Sequence, residues 1–340
     1  MNSSSYQTSC NSLCFAAQQL NDIKKGLHAT RKAAYAKGTH KNHRTQWRTY
    51  MSFCIYFNLV ALPASLDTVC LFCQFLSNSL TPNSVRNYLS GVKTLHIALG
   101  HDFPHSQSFG LRVTLRGIER AAAHLPLRAP PVTPIILKRL VLGYDRDPNP
   151  VAFSCAFLFS FFLFARISNI VPSSVQEFCA SKHLCRGDIS IVGSGLEVIF
   201  KWSKTRPLGT EYFRLPIVAI PGSVLCPVQM FKRMVDLFPV SPSSPAFVYL
   251  SPGGSICTIT KSLFVSVFRQ RLQANGISNP HLFRGHSFRR GGAQYAFSLG
   301  LPGEIIQVFG DWKSDAYKAY LELDMAAKSH LATAVAASLQ

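Results

Sequence analysis

Residues 282–293 read Leu-Phe-Arg-Gly-His-Ser-Phe-Arg-Arg-Gly-Gly-Ala, and this stretch decides how the rest of the chain is interpreted. His286 and Arg289 are three positions apart, so they share a face at the start of a helix, with Ser287 as a candidate cap. The N-terminus of a helix attracts anions. A phosphate bound there would meet an imidazole and a planar guanidinium together. A lone His-x-x-Arg pair is often structural, so this interpretation needs partners elsewhere in the sequence.

Two further segments supply candidate partners. The charge-free run 148–165 begins with two prolines and ends directly on Arg166. A helix that spans a membrane needs about 20 apolar residues, so this run predicts a helix buried in a core, whose last turn delivers Arg166 to a site. Downstream, Trp312 precedes Tyr320 by eight positions, and Tyr317 is a rival tyrosine one helical turn before it.

The charge balance indicates a polyanionic partner. The 340 residues contain 35 Lys and Arg against 16 Asp and Glu, which gives a net charge of +19, while 47% of the residues are hydrophobic. A chain of this composition can fold, and it attracts phosphate. The excess is positive on both sides of residue 130, with 14 basic and 4 acidic residues before it. We therefore expect double-stranded DNA as the partner, held from two sides.

The ten cysteines lack the paired spacing of a zinc site or a disulfide scaffold. The close pair Cys70 and Cys73 has no second pair to complete four ligands, so we expect reduced core thiols and no metal or other cofactor. The N-terminus also lacks the basic-then-apolar order of a signal peptide. These features predict an intracellular protein, nuclear in a eukaryote, that does not span a membrane.

Helical periodicity organises the first part of the chain. Residues 1–38 are predicted to form a flexible or partly helical arm, and residues 39–125 a four-helix DNA-binding domain. Hydroxyl caps followed by proline in the first turn mark helix starts at Thr81 and Thr133. Basic side chains fall on one face of at least three of these helices, and they are the candidate DNA contacts: Lys41, Arg44, Arg48, Arg86, Lys93, Arg112 and Arg116.

A proline-rich stretch separates the two predicted domains. Residues 126–134 are predicted to be a stiff, extended linker, followed by a catalytic domain over 135–325 and a tail over 326–340. The second domain is predicted to be helical with a small antiparallel sheet. Its strands are expected at 188–192, 196–202 and 213–218 with a turn at 204–209, and its later helices at 228–237, 261–273, 287–299, 302–309 and 314–323.

Taken in order, these motifs resemble those of the tyrosine recombinases of the phage-integrase type. The resemblance rests on Ala-Arg166-Ile-Ser-Asn, His286-x-x-Arg289, Gly-x-Trp312 and Tyr320, and it covers roughly residues 40–325. The run Thr-Pro-Asn-Ser-Val-Arg-Asn-Tyr-Leu-Ser-Gly-Val at 81–92 is similar to the family's N-terminal helical domain. Trp312 with Lys-Ser-Asp-Ala and a Tyr-Leu ending looks most like recombinases of eukaryotic mobile elements, such as DIRS-like elements and Cryptons.

The resemblance implies a mainly α fold with a small antiparallel β-sheet, comprising a SAM-like core-binding domain and an α+β catalytic domain. It also implies DNA cleavage and rejoining through a 3′-phosphotyrosyl link to Tyr320, on DNA-bound dimers or tetramers. Arg166 and Arg289 would neutralise the phosphate, His286 would support proton transfer, and Trp312 would pack and donate its indole N–H. Lys204 matches the family lysine that protonates the 5′-oxygen.

Several alternatives remain open at this stage. Lys201 is three residues from Lys204 and could act as the acid, and Tyr317 could replace Tyr320. Asn169 stands where relatives usually carry a carboxylate, so the support of Arg166 is expected to differ. In place of an active recombinase, the chain could be a domesticated, catalytically silent DNA-binding protein or a type IB topoisomerase.

Overall fold

The computed structural model describes residues 4–122, 129–144, 147–203, 212–321, 329, 332–333 and 336–337. The chain divides into two compact units, residues 1–126 and 127–340. Helices dominate both units, and the strands belong to the second, so the predicted fold class is confirmed. Among the described residues, no helix combines the length and the apolar character needed to cross a bilayer.

The first unit is built from helices α1 to α5. Their bounds are α1 Ser4–Ala33, α2 Lys37–Tyr56, α3 Leu66–Ser77, α4 Pro82–Ala98 and α5 Phe109–Ala121, with a 3₁₀ turn at Pro104–Gln107. The side chains of Ser65, Thr81 and Ser108 cap α3, α4 and α5 by accepting backbone N–H bonds, because each stands where the first turn leaves donors unpaired. Tyr50 and Phe72 are fully buried at the centre of this unit. The arm predicted to be flexible or partly helical is one helix over 30 residues.

The second unit places helices around two small antiparallel sheets. Its helices are α6 Pro134–Val141, α7 Pro148–Phe162, α8 Ile167–Ile170, α9 Pro227–Leu237, α10 Lys261–Ala274, α11 His286–Ser298 and α12 Gly303–Phe309. Strands β1 Ile189–Val192, β2 Gly195–Phe200 and β3 Phe213–Ile217 form one sheet in that order, and β4 Val248–Leu250 pairs with β5 Ile256–Thr258. The β4–β5 hairpin was not predicted. The turn expected at 204–209 lies outside the described residues.

Helix α7 forms the core of the second unit, as its lack of charge predicted. Every residue from Val151 to Phe161 is buried. Phe157 stacks on Phe288 of α11 at a centroid distance of 5.2 Å and meets Phe264 of α10 edge-on at 4.9 Å. The sequence that follows His286 is thus fixed against the hydrophobic centre, which gives its polar residues a rigid base.

Part of the segment predicted to be a linker is packed against the second unit's own helices. Thr133 caps α6 as expected, its side chain accepting the Ile136 N–H. Val132, however, is fully buried, and its N–H donates to the Ser287 carbonyl at 2.9 Å, so this part of the segment is packed on α11 and is not a free spacer. Residues 123–128 lie outside the described part of the chain.

The cysteines only partly match the prediction of core thiols. The described cysteines are free, and Cys54, Cys73, Cys155, Cys185 and Cys226 are buried. Cys179 is exposed, and Cys70 and Cys257 are half-buried. Thiol burial therefore follows the local face of each element and is not general.

Candidate active site

The end of α7 places Arg166, although differently from the prediction. The helix stops at Phe162, and Phe164 adopts a left-handed conformation with φ of 44°. The N–H groups of Phe164 and Ala165 bond back to the carbonyls of Phe161 and Ser160, both at 3.3 Å, which closes the helix end. Arg166 is therefore the first residue after this turn and the N-cap of α8, so it does not lie in the last turn of α7.

The first turn of α11 carries His286 and Arg289. Arg289 is only 2% exposed, and its Nη1 donates to the carbonyl of Phe164, the left-handed residue that closes α7. Gly292 permits this approach, because a Cβ there would lie 2.3 Å from the Phe161 carbonyl oxygen. Helix α11, which carries Arg289, and the end of α7, which precedes Arg166, are thus brought together at backbone level.

The residues around Ser287 depart from the predicted cap. The N-cap position of α11 is Gly285, and it makes no side-chain cap bond. Ser287 lies inside the helix, is buried, and accepts the Arg284 N–H through Oγ at 3.0 Å. His286 opens the helix and is exposed to solvent.

The end of α12 presents Trp312. Asp311 is left-handed with φ of 54°, and the N–H groups of Asp311 and Trp312 bond back to Val308 and Gln307. A Cβ at Gly310 would lie 1.7 Å from the Trp312 ring, so only glycine allows the indole to fold back over this turn. That packing explains the Gly-x-Trp spacing seen in the sequence.

Arg289 and Trp312 form the centre of the site. The guanidinium carbon lies 3.6 Å from the centroid of an indole ring, in a cation–π stack. Burial, followed by the neighbouring charge of Arg166, lowers the pKa of Arg289 to about 9, while Tyr320 and Asp311 act in the opposite sense. Nη2 of Arg289 is buried and has no hydrogen-bond partner in the described structure. A phosphate oxygen is the kind of acceptor that this nitrogen lacks.

The geometry separates the two candidate tyrosines. Residues 315–320 form a 3₁₀ turn, where an α-helix over 314–323 was predicted; residues 322–323 are outside the described part. Tyr317 is 3% exposed and packs against Gly303. Tyr320 is half-buried, its ring lies 5.7 Å from that of Trp312, and it influences the pKa of Arg289. Tyr320 is therefore the less buried of the two tyrosines and the one whose ring lies nearer to Trp312.

Asp311 was missed by sequence reasoning, although it stands between two residues of the recognised motif. Its Oδ2 lies 3.6 Å from Nη1 of Arg166, and its carbonyl accepts from Nη2 of Arg166 at 3.3 Å. The Ser203 hydroxyl donates to the same carboxylate oxygen at 2.6 Å. Asn169, where relatives usually carry a carboxylate, is buried and donates through Nδ2 to the Trp202 carbonyl at 3.2 Å.

The structure bears on only one of the two candidate lysines. Lys204 lies outside the described residues. Lys201 is in an ion pair with Asp188, at 2.8 Å. Burial lowers the pKa of Lys201, but the hydrogen bond and charge of Asp188 outweigh it, and the net pKa lies above its ordinary value. A lysine held in this way is a poor proton donor at neutral pH.

The candidate DNA contacts of the first unit fall into two groups. Arg86 and Lys93 of α4 line one groove with Arg112 and Arg116 of α5, and its volume is about 530 Å³. Arg86 is also paired with Glu119, at 2.6 Å. The remaining three predicted contacts are exposed on α2 and do not line this groove: Lys41, Arg44 and Arg48.

Comparison with known proteins extends these observations. No model of a protein family matches the chain. A curated protein described as an integrase/recombinase xerD homolog, from Selenomonas ruminantium, is 23% identical over 284 residues, which cover 81% of this chain and 79% of that protein.

Solved structures share the fold at low identity. The Tn1549 transposon integrase in complex with circular intermediate DNA is similar with a TM-score of 0.59 and 13% identity, over 90% of this chain and 96% of that one. A lambda integrase dimer bound to a core site gives 0.55 and 15%, over 90% and 95%. The XerH recombinase in a post-cleavage complex with its difH substrate gives 0.55 and 14%, over 80% and 72%. The chain therefore has the fold of these recombinases and integrases, and most of its length is similar in sequence to the xerD homolog.

Proposed function

We propose that the protein is a site-specific recombinase that cleaves and rejoins DNA through Tyr320. The Tyr320 oxygen attacks a backbone phosphorus, a 3′-phosphotyrosyl bond forms, and the 5′-oxygen leaves and takes up a proton. In the second step a 5′-hydroxyl attacks that phosphorus, and the tyrosine leaves and regains its proton. Bond energy is conserved in both steps, so no nucleotide hydrolysis is needed.

One observation carries this proposal: Arg166, Arg289, Trp312 and Tyr320 converge in one unit from three separate segments of the chain. Two guanidiniums near a half-buried tyrosine suit a reaction in which charge accumulates on non-bridging phosphate oxygens. The stack with Trp312 fixes the Arg289 plane, so little reorganisation is required when the phosphate binds. His286 is assigned a supporting role in proton transfer. Lys204 is assigned the protonation of the 5′-oxygen on the resemblance alone.

We place double-stranded DNA against the basic groove of the first unit and against the arginines of the second. A protein that neutralises several phosphates binds DNA with a strong salt dependence. The Tn1549 integrase, lambda integrase and XerH structures compared above are DNA complexes, and the lambda integrase is a dimer. We therefore infer that copies of this chain associate on DNA, and we keep an origin in a eukaryotic mobile element and a nuclear location as parts of the proposal. Fluorescence microscopy of the tagged chain in its own cells tests the location.

The decisive experiment uses a pool of nicked duplexes with randomised arms as suicide substrates. The nick releases a short 5′-hydroxyl strand after cleavage, so the covalent adduct accumulates. Denaturing gels detect the adduct, and mass spectrometry of the linked peptide identifies the tyrosine. We expect adduct with wild type and with Tyr317→Phe, and none with Tyr320→Phe.

Three results would contradict the proposal in different ways. Adduct from Tyr320→Phe would show that another residue is the nucleophile. Salt-sensitive DNA binding without adduct in any member of the pool would indicate the catalytically silent DNA-binding protein. Relaxation of supercoiled DNA without sequence preference would indicate a topoisomerase instead.

A further inference from the structure

The carboxylate that pairs with Arg166 is not at position 169, where its support was expected from the sequence. Asn169 brings no charge to Arg166, and its amide is engaged with the Trp202 carbonyl. The anionic neighbour of Arg166 is Asp311, which is 9% exposed and reaches it through both a side-chain and a backbone oxygen. Asp311 follows α12, whereas Arg166 follows α7, so the contact joins two helix ends that are 145 residues apart in sequence.

The backbone of Asp311 is compatible with the contacts of its side chain. The left-handed position after a helix end favours glycine, and aspartate and asparagine are the other residues that adopt it readily. The turn therefore accommodates Asp311 while its carboxylate contacts both Arg166 and Ser203.

Ser203 extends this arrangement to the sheet region. The residue is only 2% exposed, and its hydroxyl donates to Asp311 Oδ2 at 2.6 Å. It follows β2 by three residues and lies immediately before residues 204–211, which the structure does not describe. The carboxylate is therefore held by the hydroxyl of Ser203, and the same oxygen lies 3.6 Å from Nη1 of Arg166.

We propose that Asp311 is a positioning residue, which sets the orientation of the Arg166 guanidinium toward the scissile phosphate, with Ser203 fixing the carboxylate. The proposal rests on the proposed function, because Arg166 can be oriented toward a scissile phosphate only if the protein cleaves DNA. In this proposal Asp311 does not contact the reacting atoms, because a carboxylate next to the phosphate would repel the phosphate. A carboxylate that contacts the guanidinium instead orients the guanidinium.

A double-mutant cycle tests this proposal on the full chain. Asp311→Asn keeps the left-handed backbone, which asparagine also tolerates, and keeps an oxygen for Ser203, but it removes the charge. Glu197→Gln is the matched control, because Glu197 pairs with Arg214 on the sheet surface away from the site. Each change is made in the wild type and in Arg166→Lys, and the single-turnover rate of adduct formation, the DNA dissociation constant and the melting temperature are measured.

We expect Asp311→Asn to slow adduct formation by about 10-fold or more in the wild type, with DNA affinity within about two-fold. In the Arg166→Lys background the same change should slow the reaction by less than about two-fold, because the planar guanidinium that Asp311 orients is absent. Ser203→Ala should behave in the same direction with a smaller effect, and it provides an independent variant if Asp311→Asn folds poorly. Glu197→Gln should leave the rate unchanged in both backgrounds.

The outcomes distinguish this inference from the proposed function. Equal slowing by Asp311→Asn in both backgrounds would show that Asp311 does not act through Arg166. A rate within about two-fold of wild type would show that the carboxylate is dispensable. Absence of adduct from the wild type itself would refute the proposed function, and with it this role.

Discussion

The guanidinium of Arg289 stacks on Trp312 with its carbon 3.6 Å from a ring centroid, and the same arginine donates to the Phe164 carbonyl. The indole and the carbonyl together fix the plane of the guanidinium and leave Nη2 without a protein acceptor among the described residues. The aromatic stack and the unpartnered nitrogen can each be tested, the first by replacing Trp312 and the second by adding an anion.

Replacing Trp312 should affect the orientation of Arg289 more than the fold. Trp312→Phe keeps an aromatic face and should slow adduct formation by several-fold, whereas Trp312→Ala should slow it by about 10- to 100-fold and lower the melting temperature, because it removes the stack and opens a cavity. Single-turnover kinetics and thermal melts measure both quantities. Equal rates for the two variants would indicate that the aromatic face is not what positions Arg289.

An inorganic anion should stabilise the protein through Arg289. Because Nη2 lacks a partner in the described structure and the pKa of Arg289 is lowered first by burial and then by Arg166, bound phosphate would supply an acceptor and a compensating charge. At about 100 times its dissociation constant a ligand adds about 2.7 kcal/mol to the free energy of unfolding. We expect phosphate to raise the melting temperature of wild type more than that of Arg289→Gln. A chloride series at equal ionic strength controls for screening, and an equal shift in both proteins would contradict the prediction.

The groove of the first unit gives a prediction about salt dependence. Lys93→Gln, Arg112→Gln and Arg116→Gln should each reduce the slope of log affinity against log salt by about 1, as expected for the loss of one phosphate contact. Arg86→Gln should have a smaller effect, since Arg86 is already paired with Glu119. Fluorescence anisotropy over a range of salt concentrations measures these slopes.

Removing the acidic partner of Arg86 should have the opposite effect on DNA affinity. Glu119→Gln should strengthen DNA binding, because it frees Arg86 and removes a negative charge from the groove. Weaker binding by this variant would mean that Arg86 needs its partner in order to face DNA.

His96 should make the stability of the protein depend on pH. The ring is fully buried, Nε2 accepts the Ala64 N–H at 3.0 Å, and Nδ1 donates to the Val92 carbonyl at 2.8 Å, a pattern that requires the neutral imidazole. Burial lowers its pKa below the ordinary 6.5; the Val92 carbonyl opposes this, and His101 and His105 contribute further lowering. The unfolded chain therefore takes up a proton more readily than the folded chain does.

Because of this difference in proton affinity, acidification lowers the free energy of unfolding. The contribution of neutral His96 is fully present above pH 6.5 and is lost as the pH falls below that value, by up to about 1.4 kcal/mol per pH unit. Urea unfolding at a series of pH values measures the loss. His96→Gln should be less stable at about pH 7.5 but should lose less stability on acidification, and a parallel loss in both proteins would assign the effect to other groups.

Glycine substitutions test the close approach of backbones in the second unit. A Cβ at Gly291 would lie 1.9 Å from the Val132 carbonyl oxygen, so Gly291→Ala must displace the chain and should lower the melting temperature by several degrees. Gly117, in the middle of α5, has open space where a Cβ would stand, with no described atom within 4 Å, so Gly117→Ala should be neutral or stabilising by up to about 1 kcal/mol. Differential scanning calorimetry compares the two.

Features that depend on local chemistry could be predicted from the sequence. The caps at Thr81 and Thr133 were found because a hydroxyl followed by proline defines a helix start, and the buried helix α7 was found because it carries no charge. The spacing of Trp312 and Tyr320 predicted a shared site, and the structure brings their rings to 5.7 Å. The identity of the nucleophile stays a prediction until the adduct is mapped.

Features that depend on contacts distant in sequence could not be predicted in this way. The left-handed residues Phe164 and Asp311 are not glycines, so no local sequence signal indicated these turns. Because of the turn at Phe164, Arg166 lies outside the helix to which it was assigned. The contact between Asp311 and Arg166 joins residues 145 apart. Burial of Tyr317 likewise depends on α12, which packs over a turn whose 3₁₀ form shows no distinct period in the sequence.

The fastening of Val132 to α11 has a mechanical consequence. Ala129 accepts a hydrogen bond from Arg290, Val132 donates to Ser287, and both partners lie on the helix that begins at His286. The residues that enter the second unit from the first are thus tied to the helix that carries Arg289 before they reach α6. Tension that reaches Ala129 and Val132 along the chain is therefore passed to the helix of His286 and Arg289 as well as to α6, which follows directly.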